Sequence, residues 1–310
     1  MTKSDVPAYS LIETEADVTP AVIAAFEDTT DPRLKAIMAS LVTHLHAFLR
    51  EARPTETEFE RALDWIVALG RHTTSSNNEV VLAADVLGLS TLVDIMNNDG
   101  GRGETMSALL GPFYRGGAPE YRSGDTIARS DTPGPALFFT GRVSECDGTA
   151  IEGASIDVWQ ASPVGLYENQ DAGQDDFNLR GKFTSDSDGR FAFRSVRPAG
   201  YPVPTNGPVG DLLRAQDRHP FRPAHVHFIV TAPAHKTLIT QVFSDSYEAL
   251  ATDVVFGAKQ PIIGDFVEHE ERHPEHRDVM APWFSCHFDF KLVPGEPTFP
   301  VPPISGKASA

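Results

Sequence analysis

The chain has 310 residues, of which 41% are hydrophobic and 22% charged, a composition that indicates a globular protein with a buried core. Its formal net charge of −17, without any block of lysine and arginine, argues against nucleic acid or a membrane surface as a partner. Only two cysteines are present and no apolar run is long enough to span a membrane, so we expect a cytoplasmic protein without a disulfide framework.

The first third of the chain carries helical signals. Asp31-Pro32 is a typical helix start, a capping residue followed by proline, and apolar residues continue at helical spacing to Leu49. Residues 55–58 form a capping box before a second helix, and two shorter helices are predicted at 79–87 and from an N-cap at Ser90. These helices are too few to build a rich core alone. We therefore expect them to pack on the rest of the chain or on a second copy in a homodimer.

After residue 101, short period-2 patterns and turn residues replace the helical spacing. Turn residues at 147–148 and 187–189 predict hairpin-like pairing of the strands that flank each turn. Frequent turns without intervening helices predict an antiparallel β-sandwich, and hence an α+β chain with a helical domain at 1–105 and a sandwich domain at 106–310. The predicted strands lie at 138–143, 154–159, 182–184, 190–196, 225–231, 238–243 and 285–293.

Four residues stand out as candidate metal ligands. Two long irregular segments, 162–180 and 197–222, carry Tyr167 and Tyr201, and loops of such length in a compact domain are usually functional. His225 and His227 alternate on a predicted strand, so their imidazoles share one face and can bind one ion.

Each of these signals has an ordinary alternative. A single tyrosine is more often a core residue with a hydrogen-bonded hydroxyl, and a His-x-His pair also occurs as two partly exposed histidines. Taken together, two phenols and two imidazoles would suit Fe(III), because phenolate is a hard anionic donor that a strong cation stabilises at neutral pH.

Several motifs resemble the intradiol ring-cleaving dioxygenases. They are the run at 141–159, Gly-Leu-Tyr at 165–167, Gly-Tyr at 200–201 and Arg-Pro-Ala-His-Val-His at 222–227. The N-terminal helices resemble the helical dimerisation domain of the catechol 1,2-dioxygenase branch. Within that branch, the stretches at 109–114 and 201–210 are most similar to hydroxyquinol 1,2-dioxygenases, since Pro202 stands where catechol enzymes usually have glycine.

The resemblance implies one Fe(III) per subunit, with Tyr201 and His227 as axial ligands and Tyr167 and His225 as equatorial ligands. The diol substrate would chelate the iron as a dianion, and Tyr201 would serve first as a ligand and then as a base. The reaction implied is cleavage of hydroxyquinol (benzene-1,2,4-triol) by O2 between the carbons of the 1,2-hydroxyls. Its product, 3-hydroxy-cis,cis-muconate, tautomerises to maleylacetate.

The resemblance also implies residues that contact the substrate. Arg222 would hold negative charge on the bound substrate, although a surface ion pair is its alternative, and Gln241 would orient bound groups. Asp85 would accept a hydrogen bond from the third ring hydroxyl, unless it is an ordinary solvated helix carboxylate. The remaining pocket positions are Leu82, Gly111, Pro112, Phe113, Val203 and Pro204.

Three other possibilities remain open from the sequence. Within the same family, the substrate would be catechol or a chlorocatechol. In a different class, the glycine-rich patterns at 141–156 also fit a non-catalytic, transthyretin-like β-sandwich binding module. The family resemblance further raises a phospholipid bound in an apolar tunnel between the helical domains.

Overall fold

The helices of the first third form where the capping signals place them. The Asp31 side chain accepts hydrogen bonds from the backbone N–H groups of Arg33 and Leu34, at 2.8 and 3.1 Å. Thr55 and Glu58 exchange the two hydrogen bonds of the predicted capping box. The helices are α1 (Glu15–Ala24), which was not predicted, α2 (Pro32–Ala52), α3 (Glu56–His72), α4 (Glu79–Val86) and α5 (Leu89–Asn98). Since α5 begins at Leu89, Ser90 lies inside its first turn and does not cap it.

This computed structural model describes residues 11–74, 77–98, 101–129 and 131–304. The chain divides into two compact units, one ending at Ile66 and the other beginning at Val67. Helices α4 and α5 therefore belong to the same unit as the strands. The domain boundary predicted near residue 105 stays a prediction.

The second unit contains eleven strands among its described residues. The strands are β1 (Ala136–Glu145), β2 (Ser155–Gln160), β3 (Arg180–Thr184), β4 (Arg190–Val196), β5 (Tyr201–Pro202), β6 (Phe221–Arg222), β7 (His225–Thr231), β8 (Leu238–Phe243), β9 (Phe266–His269), β10 (Trp283–His287) and β11 (Phe290–Leu292). Short helices α6 (Pro208–Ala215) and α7 (Tyr247–Ala251) and a 3-10 helix (Gln260–Ile262) lie between them. The segment 197–222, predicted as irregular, thus holds β5, α6 and β6.

Two sheets pack face to face. One has the order β11-β1-β10-β9 with β4 also paired to β1, and the other has the order β3-β2-β7-β8. The rings of Phe139 in β1 and Phe228 in β7 lie 5.0 Å apart across the interior. The α+β sandwich prediction is therefore confirmed, with one difference: β1 pairs in parallel with β10 and β11.

The predicted hairpins are wrong. Strands β1 and β2 lie in different sheets, and so do β3 and β4. The turn at 147–148 closes only a single bridge between Ser144 and Ala150 before the chain crosses to the other sheet. Each strand buries one apolar face in the shared core, and crossing between sheets satisfies that requirement as well as hairpin pairing does.

The predicted strand at 285–293 is interrupted, and Gly141 explains where. Strands β10 and β11 keep the same register on β1, with Thr140 opposite His287 and Val143 opposite Phe290. Between them, a Cβ on residue 141 would overlap the carbonyl oxygen of Phe288. Glycine therefore lets that carbonyl turn towards β1.

Strand β7 connects the core to the functional residues. Val226, Phe228 and Val230 are fully buried in the sandwich core, so His225 and His227 face the opposite side of the sheet, as predicted. No helix of the described residues is long and apolar enough to cross a membrane.

Candidate active site

Four side chains converge on one point at the outer face of β7. Tyr167 Oη lies 2.9 Å from His227 Nε2 and 3.1 Å from Tyr201 Oη, and the two Nε2 atoms are 3.0 Å apart. His225 Nε2 lies 3.4 Å from Tyr201 Oη and 3.5 Å from Tyr167 Oη. All four side chains are buried, with at most 5% exposure. The structure thus brings together all the residues predicted as metal ligands.

The histidine rings are fixed by their surroundings. His225 Nδ1 lies 2.8 Å from the Pro223 carbonyl oxygen, which only accepts, so Nδ1 carries the proton and Nε2 keeps its lone pair. The His227 ring stacks on Trp159 at 4.6 Å, and its Nδ1 is buried without a hydrogen-bond partner in the described chain. Gly111, at φ +75°, approaches so closely that a Cβ would lie 3.2 Å from His227 Cε1.

The tyrosines are positioned by backbone pairing and by ring contacts. Tyr201 lies on β5, directly opposite Arg222 on β6. The backbone N–H of Tyr167 donates to Gln170 Oε1 at 3.0 Å, and its ring lies 4.7 Å from that of Phe113. The Arg180 guanidinium lies 5.9 Å from the centre of the Tyr167 ring.

Burial sets the protonation of the four donors. It raises the pKa of both phenols, for Tyr167 well above the ordinary value. Burial also lowers the pKa of His225 to about 3 and that of His227 well below its ordinary value, so both imidazoles are neutral, the form that binds metals. The phenols ionise at neutral pH only if a strong cation compensates.

The donor set fits a ferric ion. Within the described ranges, no group of three or more His, Cys, Asp or Glu side chains is arranged to hold a metal. The two phenol oxygens are therefore needed to complete a four-donor set. Two hard anionic oxygens and two imidazole nitrogens match Fe(III) better than zinc, which prefers thiolate and imidazole.

Arg222 is a buried cation beside this site. Its Nη1 lies 3.3 Å from His225 Nε2, and its Nη2 donates to Gln241 Oε1 at 2.9 Å. It forms a two-point ion pair with Asp253, both contacts at 3.2 Å. Burial lowers the pKa of Arg222, but the Asp253 carboxylate and the oxygens of Tyr201 and Tyr167 together raise it above its ordinary value. The surface ion pair considered from the sequence is wrong, since Arg222 is only 5% exposed.

Asp253 was missed by the sequence reasoning. Its carboxylate accepts from the backbone N–H groups of Val255, Gly257 and Ala258 as well as from Arg222. Burial raises its pKa, but Arg222, with smaller contributions from His225 and the Val255 N–H, holds the pKa below the usual value. No local pattern marks this residue, because its partner lies 31 positions earlier in the chain.

A cavity lies next to the four donors. All the predicted wall residues line it, whereas Gln241 lies behind it and binds Arg222 and the Leu109 carbonyl. Asp85 is 7% exposed and burial raises its pKa, so the solvated alternative for this carboxyl is wrong. The lining residues are Asn77, Asn78, Val81, Leu82, Asp85, Leu109, Gly111, Pro112, Phe113, Tyr201, Val203, Pro204, Arg222 and Val255.

Five of these wall residues were not predicted. Asn77, Asn78 and Val81 precede or begin the helix that carries Asp85, and helical spacing from Asp85 would have found Val81 and Asn78. Leu109 adjoins a motif already singled out. Val255 has no signal in the sequence, because it reaches the cavity through the loop held by Asp253.

Comparison with known proteins now gives the family. The family model described as "Dioxygenase" matches residues 109–294, and "Catechol dioxygenase N terminus" matches residues 31–105. The chain belongs to the intradiol dioxygenase family. It is similar to hydroxyquinol 1,2-dioxygenase of Rhizobium sp. (strain MTP-10005), with 42% identity over 88% of this chain and 93% of the relative.

Further relatives support the same family assignment. The 6-chlorohydroxyquinol 1,2-dioxygenase of Cupriavidus pinatubonensis is 43% identical over 90% of this chain and 97% of the relative. The solved hydroxyquinol 1,2-dioxygenase of Pseudomonas putida DLL-E4 superposes with a TM-score of 0.85 at 35% identity, covering 91% of this chain and 99% of that one. Intradiol dioxygenases generally depend on non-haem iron. The alternative of a non-catalytic binding module therefore has no support.

Proposed function

We propose that this intradiol dioxygenase cleaves hydroxyquinol with O2 between the carbons of the 1,2-hydroxyls, giving 3-hydroxy-cis,cis-muconate and hence maleylacetate. One observation carries the proposal: four donors converge beside a cavity, and the buried carboxyl of Asp85 lines that cavity. The named activities of the relatives support the substrate.

Tyr167, Tyr201, His225 and His227 would hold one Fe(III) per subunit. When bound, the ferric ion supplies the Lewis acidity that draws charge out of a chelated diol and makes its ring carbon reactive towards O2. Tyr201 both belongs to the donor set and lines the cavity. Its oxygen is therefore placed to accept a proton from an incoming substrate hydroxyl.

Arg222 would stabilise the negative charge that develops on the deprotonated diol. Its guanidinium is buried beside the donors and lines the cavity. A fixed cation in a water-excluded site stabilises charge more strongly than the same group in water, and it needs no reorganisation during the reaction.

Asp85 would select the triol. It is a buried carboxyl on α4, one turn after Leu82, and both side chains line the cavity. The third hydroxyl of hydroxyquinol offers this carboxyl a hydrogen bond in addition to the one from the Ser90 side chain, whereas catechol offers none. Sites that hydrogen-bond a substrate hydroxyl discriminate strongly against the analogue that lacks it.

Oxygen uptake by the iron-loaded protein tests the substrate. We expect kcat/KM for hydroxyquinol to exceed that for catechol by about tenfold or more, and Asp85→Leu to lower this ratio, because the hydrogen bond is lost. As a control, Asp64→Asn removes an exposed carboxylate on α3 and should leave the ratio unchanged. A wild-type preference for catechol would contradict the substrate assignment.

The colour of the protein tests the metal site. Phenolate bound to Fe(III) absorbs visible light by charge transfer, so the iron-loaded protein should be burgundy red. Tyr167→Phe and Tyr201→Phe should each weaken this absorption and lower the iron content, whereas Tyr121→Phe, whose hydroxyl accepts from Arg129, should retain both. A colourless wild-type protein that contains iron would refute the donor set.

We also propose a homodimer formed through the N-terminal helices, with a phospholipid held between them. Apolar side chains at helical spacing on α2 and α3 are between 37% and 60% exposed, an extent unusual for helices in water. They are Leu34, Ile37, Leu41, Leu45, Phe48, Leu49, Phe59, Leu63 and Ile66.

Both cysteines, Cys146 and Cys286, are free thiols, which supports a reducing, cytoplasmic location.

A further inference from the structure

A second cavity adjoins the substrate cavity and has a different character. The two cavities share Asn77, Phe113 and Pro204 as wall residues, so they are adjacent. The second cavity, which we call the vestibule, is also lined by Arg71 and His72 at the end of α3, by Thr74, and by Asn169, Gln170 and Asn206. The wall of the substrate cavity is almost entirely apolar, whereas polar side chains contribute a much larger share of the wall of the vestibule.

The vestibule presents hydrogen-bond donors. Asn169 Oδ1 accepts from Arg180 Nη2 at 3.1 Å, and Gln170 Oε1 accepts from the backbone N–H of Tyr167 at 3.0 Å. Both amide oxygens are thus committed to the protein. In the described part of the chain, neither side-chain NH2 group has a hydrogen-bond partner, although Asn169 is only 4% exposed. Two amide donors are therefore left for a ligand in the vestibule.

The charges of the vestibule favour an anion. Arg71 has no ion-pair partner among residues 11–74, 77–98, 101–129 and 131–304. The described lining contains no Asp or Glu, although the chain has 43 acidic residues. Two neighbouring carboxylates are buried behind the wall: Glu168 pairs with Arg115 and Arg180, and Glu79 accepts hydrogen bonds from the Asn77 side chain and the Val209 backbone N–H. The vestibule wall thus presents a cation and amide donors, while the nearby carboxylates are bonded within the protein, so the wall favours a carboxylate ligand.

We propose that the vestibule is a carboxylate-binding subsite that receives the ring-opened dicarboxylate product as it leaves the substrate cavity. This inference rests on the proposed function, because intradiol cleavage converts a neutral diol into a product with two carboxylates. In a chain with a net charge of −17, a product anion meets general repulsion at the surface. The vestibule offers the product a local path that the neutral substrate does not need.

Calorimetric binding of cis,cis-muconate to the iron-loaded protein tests the inference without turnover. We expect Arg71→Glu to weaken muconate binding by about tenfold, because an attraction is lost and a repulsion gained at a partly solvated site. Arg61→Glu, the same charge change at an exposed position of α3 outside the vestibule, should bind as the wild type does. Binding of neutral catechol, measured without O2 so that it is not cleaved, should be equal in all three proteins.

Three outcomes would overturn the inference: no muconate binding to the wild type, equal binding by the wild type and Arg71→Glu, or equal weakening by Arg61→Glu. A fourth uses an aromatic carboxylate, 3,4-dihydroxybenzoate. If Arg71→Glu weakens this ligand but not muconate, the vestibule serves ring substituents and the product assignment is wrong. The binding assay does not depend on turnover. Failure to oxidise hydroxyquinol would therefore refute the proposed function, while the effect of Arg71→Glu on muconate binding could still be interpreted.

Discussion

Arg222 shows how a single side chain is held for function. Its guanidinium contacts three residues: the candidate metal ligand His225, Gln241 on β8, and Asp253 in a loop. Because Arg222 and Asp253 are both buried, neither charge is stabilised by water. The arginine therefore depends on Asp253 for its position as well as its charge balance.

Asp253→Asn should leave Arg222 as a buried cation without its counter-ion. We expect the free energy of unfolding to fall by about 3 kcal/mol, because breaking one side of a buried pair leaves the other uncompensated. We also expect kcat/KM to fall by about tenfold or more, because Arg222 and the loop carrying Val255 lose their common anchor. Urea unfolding and oxygen uptake measure the two effects.

The exposed Asp211–Arg214 pair, at 2.6 Å, is a matched control for this prediction. Asp211→Asn should change stability by less than about 0.5 kcal/mol, since solvent screens exposed pairs. If both variants behave alike, Asp253 has no special role in positioning Arg222.

Asp157 makes stability depend on pH. It lies on β2 with 5% exposure, accepts from Tyr114 Oη at 3.2 Å, and has Lys182 Nζ at 3.7 Å. Burial raises its pKa to about 6, above its ordinary value of 3.8. Between these pH values the folded protein binds more protons than the unfolded chain, so this group's contribution to stability falls as pH rises through the window.

Asp157→Asn should remove that dependence. Relative to the wild type, we expect the variant to gain up to about 3 kcal/mol of unfolding free energy between pH 4 and pH 7, because the wild type pays for ionising a buried carboxyl there. Urea denaturation at the two pH values measures the difference, with the exposed change Asp188→Asn as the control. A pH-independent difference between Asp157→Asn and the wild type would refute the account.

The residues of the site differ in how well sequence predicts them. Tyr167, Tyr201, His225 and His227 belong to compact motifs, so their types and spacing are visible in the chain. Asp253 lies outside every such motif, because it acts through a partner brought close only by folding. Trp159 ends the motif at 141–159, but its contact with His227 is likewise made only by folding. A pattern in the sequence records chemistry and local geometry, whereas a contact across 31 or more positions depends on strand pairing.

At the scale of helices and strands, sequence likewise predicts features that depend on neighbouring residues better than features that depend on distant ones. The start of α2 and the capping box of α3 were predicted because their hydrogen bonds join residues two to three positions apart. Strand positions and faces followed from period-2 alternation. The pairing of strands did not follow from this alternation, because a strand can bury its apolar face equally well in either sheet. The predicted hairpins were wrong for that reason.

Gly141 gives a test of the parallel pairing at β1. Gly141→Ala should destabilise the protein by about 3 kcal/mol or more, because its Cβ would overlap the Phe288 carbonyl oxygen and lie 2.8 Å from the Phe191 ring. Gly70→Ala, in α3 with nothing within 4 Å, should instead stabilise the protein by about 0.5 to 1 kcal/mol. Thermal and urea unfolding of both variants measure the contrast, and a neutral Gly141→Ala would contradict the strand arrangement.

At the scale of the whole molecule, the apolar helical surface needs a partner. Leu41 and Leu45 are one turn apart on α2 and are 47% and 51% exposed. Surfaces of this kind on a monomer mark interaction sites or lead to aggregation. The proposed homodimer would bury these side chains.

Sedimentation analysis tests the dimer. The wild type should sediment at about twice the chain mass of 33.7 kDa, and a Leu41→Glu and Leu45→Glu double variant should sediment as a monomer, because buried unpaired carboxylates oppose association. Thr43→Glu, on the same helix away from the apolar positions, should remain dimeric. A wild type that sediments as a monomer at micromolar concentration would refute the dimer, and lipid extraction from the same sample would show whether phospholipid is present.

Strand β7 serves two purposes at once, and this limits how such an enzyme can evolve. Its consecutive residues alternate between the donor cluster and the sandwich interior, so a one-residue slip would turn His225 and His227 into the core and Val226 and Phe228 out of it. Changes that alter substrate choice and spare the donor cluster must therefore lie outside β7, in α4 and in the loops at 109–113 and 203–204 that line the cavity. Substitutions in those segments leave the register of β7 untouched, and with it the placement of both histidines.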